Sequence, residues 1–225
     1  MLIEFKNIFV EREGRPILGD LSLSLSERRI GIMGPNGSGK STFIRLINGL
    51  LLPKIGQICV DGLDTRLEVE KIRRKVGFVF QNPDNQIVFP IVSEDIEFGL
   101  KRRIPNSNMR HQRMLEALDQ LGVLHLQDRS IHTLSGGERQ LVALAGVLAT
   151  KPEILVFDEP TTQLDLRLRN RFEQHLSALP QPALIVSHDL ELMRTMDRVL
   201  IIVEGRLAFD GVPADATAWY RTHCG

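Results

Sequence analysis

The segment Gly34-Pro35-Asn36-Gly37-Ser38-Gly39-Lys40-Ser41-Thr42 constrains this chain more than any other. It fits G-x-x-x-x-G-K-[ST], with the apolar run Ile30–Met33 before it and the helix-forming segment Phe43–Gly49 after it. A strand, a glycine-rich turn and a helix in that order make a phosphate cradle. The glycines let the backbone curl until consecutive N–H groups face one anion. The helix N-terminus adds the positive end of its dipole. In such a loop Lys40 reaches the β- and γ-phosphates of a nucleotide, and the Ser41 hydroxyl ligates Mg²⁺.

The rest of the chain supplies the setting for that loop. Short β-type runs at Leu2–Phe9, Ser22–Leu25, Ile30–Met33, Gln57–Val60, Val76–Phe80, Ile154–Phe157, Ala183–Val186 and Val199–Val203 alternate with helical patterns. Several are continuous apolar runs, as expected of strands covered on both faces. Helices are expected after Lys40, over Arg110–Leu121, Arg139–Ala149 and Asp165–Leu179, and after Asp189. Met114, Leu118 and Leu121 recur at i, i+4 and i+7 and draw one apolar stripe. The alternation predicts an α/β fold with a mostly parallel sheet. Leu2–Leu25, broken by Gly14 and Gly19, reads as an antiparallel β subdomain instead. Residues 82–149 are helix-rich without a strong strand run, and read as a helical subdomain inserted into a core of residues 1–81 and 150–225. The tail near Asp215–Arg221 is expected to be a short helix.

Composition narrows the function classes. Lys+Arg and Asp+Glu balance at 28 each, which argues against a dedicated nucleic-acid binder. A hydrophobic share of 43% with 25% charged residues excludes a disordered chain. The two cysteines, Cys59 and Cys224, cannot make a disulfide scaffold and fit a reducing compartment. The histidines have no metal-ligand spacing beside cysteine, so a structural zinc site is not expected. No apolar run approaches the roughly 18 residues of a membrane span, and the N-terminus lacks the pattern of a secretory signal. A soluble protein is expected.

A second acidic feature complements the loop. Ile154–Phe157 is apolar and ends in Asp158-Glu159-Pro160. Side chains alternate faces along a strand, so the two carboxylates cannot share a role. Asp158 at the strand's end suits the Mg²⁺ shell. Glu159 suits general-base work on a water attacking the γ-phosphate.

Leu134-Ser135-Gly136-Gly137-Glu138-Arg139-Gln140 places another glycine-rich turn before another helix. It resembles the LSGGQ signature of ATP-binding-cassette (ABC) ATPases, with Glu138 where the signature has Gln. A nucleotide needs one cradle per site, so a second cradle makes sense if it closes over ATP bound by another subunit. The resemblance spans almost the whole chain and implies one P-loop NTPase domain over residues 1–225. It implies that Gln81 is the Q-loop glutamine, contacting Mg²⁺ and water. Thr162-Gln163-Leu164-Asp165 corresponds to the D-loop at the dimer interface, and His188 to the switch histidine that contacts the γ-phosphate. The family places an aromatic residue on the adenine. Here the position falls to Arg12, whose guanidinium plane can also stack on a purine; Phe5 and Phe9 lie nearby in the strand and suit the core.

The subfamily is narrower still. Exporters of this family usually fuse the cassette to membrane spans, and its soluble machines usually carry tandem cassettes or long coiled-coil insertions. A separate importer subunit fits this chain best. Gln81–Gln86, Val92–Leu100 and Ala143–Ala149 (with Gly146 where many cassettes have Arg) resemble the ATPases of energy-coupling-factor (ECF) transporters. The short C-terminus most resembles the dedicated biotin-transporter ATPase, with a cobalt or nickel ECF transporter or another ABC importer as the alternative. A soluble ABC ATPase unlinked to transport, or a nucleotide-binding subunit without turnover, would be supported by a basic patch or by loss of Lys40 or Glu159. Neither is seen. The resemblance thus implies ATP and Mg²⁺ as cofactors and a second ATPase subunit, as a homodimer. It also implies two membrane partners, a coupling protein and a substrate-binding protein, and no nucleic acid. The expected place is the cytoplasmic face of the cell membrane.

Overall fold

The computed structural model describes residues 1–162 and 164–224; Gln163 and Gly225 lie outside the described residues. The elements run β1 (Ile3–Arg12), β2 (Arg15–Leu25), β3 (Arg29–Met33), α1 (Lys40–Ile47), β4 (Ile55–Val60), β5 (Leu63–Asp64), α2 (Val69–Lys75) and β6 (Val76–Val79). They continue with α3 (Val92–Leu100), α4 (Ser107–Gln120), α5 (Gly136–Ala149), β7 (Ile154–Asp158), α6 (Leu166–Ala178), β8 (Ala183–Val186), α7 (Leu190–Arg194), β9 (Arg198–Val203), β10 (Arg206–Gly211) and α8 (Pro213–Cys224). They form two compact units.

The first unit comprises residues 1–76, 153–159 and 181–225 and carries both sheets. One is antiparallel, in the order β2-β1-β4-β5. In the other the order is β10-β9-β3-β8-β7. β3 pairs in parallel with both β8 and β9, and β7 with β8, while β10 returns antiparallel on β9. Every residue of β3, β7 and β8 is buried. Their continuous apolar runs are what a sheet covered on both faces requires. β1 instead alternates, burying Ile3, Phe5, Ile8 and Val10. Phe5 stacks on Phe43 of α1 at 4.6 Å between ring centroids, so the helix that follows the glycine loop is anchored in the core. Phe5 is thus a core residue, while Phe9 packs beside Gly19 of β2.

The second unit comprises residues 77–152 and 160–180. α3, α4 and α5 pack on one another, with Met114, Leu118, Ile96 and Leu144 among the buried side chains. Pro160–Pro180 joins them through α6: Arg171 donates to the carbonyls of Leu121 and Gly122 at 3.1 and 2.9 Å, satisfying the end of α4. α2 and α3 have no counterpart among the helices expected from the sequence. α2 is a short charged segment with one buried residue, Ile72.

Candidate functional site

The glycine loop lies between β3 and α1, as expected. Its curl is possible only with glycine at two places. Gly34 takes φ +150°, and a Cβ there would collide with the carbonyl of Ile202. Gly39 takes φ +104° and would bring a Cβ to 2.8 Å from Leu18. The turn closes through Ser38 N–H donating to the Pro35 carbonyl at 3.2 Å and Phe43 N–H to the Gly39 carbonyl at 2.8 Å. Gly205, in the β9–β10 turn, donates its N–H to the Ser38 carbonyl at 3.0 Å and so braces the loop. Asn36 and Gly37 are exposed at its tip, and Thr42 is half-buried on α1.

Lys40 folds back over this turn and donates to the carbonyls of Gly34 and Pro35, both at 2.8 Å. Burial pulls its ammonium below the usual lysine range, against Glu159 and Asp158, which favour the charge. The Ser38 hydroxyl is buried with no protein partner. A buried donor without a partner, beside a buried cation and a helix N-terminus, fits an anion such as a phosphate.

The acidic strand end comes to the same place. Ser41 donates its hydroxyl to Asp158 Oδ1 at 2.8 Å, and Arg45 of α1 reaches Asp158 Oδ2 at 3.3 Å. Burial pushes the Asp158 carboxyl up, opposed by Ser41 and Arg45, while Glu159 adds to the rise. Ser41 and Asp158 present hard oxygen donors side by side, the donor type that Mg²⁺ takes. Glu159 sits in the left-handed region at φ +48°, with its N–H on the Val186 carbonyl at 3.0 Å. Glu159 Oε1 meets His188 Nε2 at 3.1 Å. A carboxylate paired with an imidazole can hold a water and take its proton.

Arg12 is exposed at the tip of the β1–β2 hairpin, paired across the turn with Arg15. Gln81, Ser135, Gly136, Gly137, Glu138 and Asp165 belong to the second unit. Gln81 is exposed just after β6. Ser135 caps α5: its hydroxyl and N–H both donate to Glu138 Oε2 at 2.8 Å, and Glu138 N–H donates to Ser135 Oγ at 3.3 Å. A Cβ on Gly137 would collide with Leu168, so this glycine also serves the packing of α6. Asp165 caps α6 by accepting from Leu168 N–H at 2.8 Å. Gln163, the D-loop residue beside it, lies outside the described residues.

The family model described as "ABC transporter" matches residues 18–162. The chain belongs to the ABC transporter family. A putative ABC transporter ATP-binding protein of Deinococcus radiodurans is 52% identical, covering 98% of this chain and 97% of that one. The biotin transport ATP-binding protein BioM of Rhizobium etli is 48% identical, with 98% of each chain covered. Among solved structures, cbiO1 from Clostridium perfringens, described as part of the ABC transporter complex cbiONQ, aligns with a TM-score of 0.86 at 30% identity. That alignment covers 98% of this chain and 92% of the other.

This ABC ATPase has an α/β P-loop fold with the antiparallel N-terminal sheet and the helices expected of it. Two contributions were not legible in its motifs. Arg45, which engages Asp158, is an ordinary helix residue in sequence, and its spacing of one turn from Ser41 is the only hint. Asp95 of α3 accepts on its Oδ1 from the N–H groups of Val88 and Phe89 at 2.7 and 2.9 Å, a tie that no motif marks.

Proposed function

We propose that this ABC ATPase powers an ECF-type importer and that biotin is its cargo. The near-full-length likeness to the Rhizobium BioM protein carries the reading. The ECF-like segments Gln81–Gln86, Val92–Leu100 and Ala143–Ala149 support it. Reconstitution in vesicles with the membrane proteins that co-purify with it is expected to give ATP-dependent uptake of labelled biotin. Uptake of cobalt or nickel instead would favour the metal-transporter alternative and overturn the biotin assignment.

In this reading two copies form a homodimer, each ATP being held by the loop 34–42 of one copy. Ser135, Gly136 and Gly137 of the other copy close over the γ-phosphate, with Asp165 at the same interface. Ser41 and Asp158 would hold Mg²⁺, which would supply charge neutralisation on the phosphates; Gln81 is assigned to the same cation by the family resemblance alone. Lys40 turns its buried charge to the β- and γ-phosphates. Glu159 and His188 position a water, and Glu159 takes its proton. Loss of the γ-phosphate removes what joins the two copies, so the dimer opens and the membrane partner moves.

The membrane partner's docking face is placed on residues 82–99 of the second unit, at the cytoplasmic face of the membrane. A cavity of about 280 Å³ there is lined by Asp84, Ile87, Val88, Phe89, Pro90 and Arg139 among others. Val88 and Phe98 are exposed, and Phe98 packs against Phe89 at 4.7 Å. Such an apolar anchor rimmed by acids suits a helix carrying arginines. Of the four carboxylates, Asp95 caps a turn, Glu97 meets His111 at 2.9 Å and Asp84 lies 3.9 Å from Arg139. Glu94 is exposed on the first turn of α3. Glu94→Arg is therefore expected to abolish co-purification with the membrane proteins while leaving ATP binding unchanged; normal assembly and uptake would move the docking face elsewhere. Asp95→Arg would disturb the turn itself and cannot serve as that test.

Arg12 is assigned to the adenine. Arg12→Ala is expected to weaken ATP binding by about 0.5–2 kcal/mol, the range of cation–π contacts from exposed to desolvated, and Arg12→Tyr to restore it. Titration calorimetry with ATP checks this, and an unchanged affinity in Arg12→Ala would give the base to another residue.

A further inference from the structure

The cap of α5 uses up the hydroxyl that the proposed closure needs. Ser135 has one hydroxyl proton and one backbone N–H, and both go to the same oxygen, Glu138 Oε2, at 2.8 Å. The Glu138 N–H in turn occupies a lone pair of Ser135 Oγ at 3.3 Å. A carboxylate only accepts hydrogen bonds. While it holds the Ser135 proton, that hydroxyl cannot donate to a phosphate without leaving its partner. The carboxylate also places a negative charge one turn into a helix whose N-terminal dipole would otherwise face an anion unopposed. Both N–H groups of the Ser135 hydroxyl's neighbours, Gly136 and Gly137, stay at the helix start, so the cradle is weakened rather than removed.

We infer that Glu138 is a positioning residue that restrains closure, by holding the Ser135 hydroxyl away from the incoming γ-phosphate and by opposing its charge. The inference rests on the proposed reading that Ser135 of one copy meets ATP held by the other. A glutamine at this position would act differently. Its carbonyl oxygen can accept from the Ser135 N–H while its amide N–H donates to Ser135 Oγ, which frees the hydroxyl proton for phosphate. The negative charge is lost in the same change.

The test uses the full chain carrying Glu159→Gln, so that ATP persists, with and without Glu138→Gln. Sedimentation in Mg·ATP at low and high salt reads the dimer dissociation constant, and calorimetry reads ATP affinity of the monomer. Glu138→Gln is expected to tighten the dimer about tenfold at low salt, with a gap that narrows as salt screens the charge and with monomer ATP affinity unchanged. A merely structural cap predicts the opposite sign, because Glu138→Gln weakens the helix start. Ser135→Ala adds a coupling measurement: it should loosen the dimer little while Glu138 is present and several-fold more after Glu138→Gln. Dimers of equal or lower affinity after Glu138→Gln, or equal effects of Ser135→Ala in both backgrounds, overturn the role of Glu138 alone. Failure of every variant to dimerise in ATP overturns the shared-site reading, and this inference with it.

Discussion

Glu159→Gln is expected to lower the ATPase rate by about 10²–10⁴-fold, the usual contribution of a positioned general base, while ATP-bound dimers accumulate. The glutamine keeps the size and shape of the side chain and can still hold His188, which lies 3.1 Å from Glu159 Oε1. It cannot take a proton from water. The backbone at this residue is held at φ +48° by the Val186 carbonyl, so the substitution should leave the turn in place. Binding depends on Lys40, bonded to the carbonyls of Gly34 and Pro35, on Ser41, bonded to Asp158, and on the loop N–H groups; Glu159 bears on Lys40 through its charge. The pairing of steady-state rate with oligomeric state in Mg·ATP decides the matter. Full activity, or lost activity with ATP no longer bound, would assign Glu159 a different role.

Lys40→Ala is expected to weaken ATP binding by about 10- to 100-fold, since a hydrogen bond to a charged group contributes about 1.5–3 kcal/mol. Lys40 now bonds two loop carbonyls at 2.8 Å, so its ammonium must exchange one or both for phosphate oxygens when nucleotide enters. The Ser41–Asp158 bond and the Gly205 brace do not pass through Lys40. The empty fold should therefore survive the substitution. Calorimetry with ATP, beside a circular dichroism melt, separates the two effects; native ATP affinity in a folded Lys40→Ala chain would refute the assignment.

Much of the fold was legible because its strands carry one kind of information. Ile30–Met33, Ile154–Phe157 and Ala183–Val186 are apolar without interruption, and only a doubly covered sheet buries such runs. α3 was less legible. Its Val92, Ile96 and Leu100 form a stripe of three among acids, and the segment reads as readily as a charged loop. α2 and the two-residue β5 are held by their surroundings rather than by propensity, since neither is long enough to be stable alone.

The sequence by itself determined the phosphate loop, the acidic pair and the order of the family's motifs. These depend on neighbours along the chain: glycines at Gly34 and Gly39 for a backbone that other residues cannot follow, and a lysine and a serine at the start of one helix. What only the tertiary structure decided is which side chains meet across long separations. Asp158 reaches Ser41 and Arg45, Glu159 meets His188, and Asp95 closes a turn with Val88 and Phe89. Hydrogen bonds and ion pairs of this kind act over about 3 Å. Sequence spacing says nothing at that scale until the sheet has brought β3, β7 and β8 side by side.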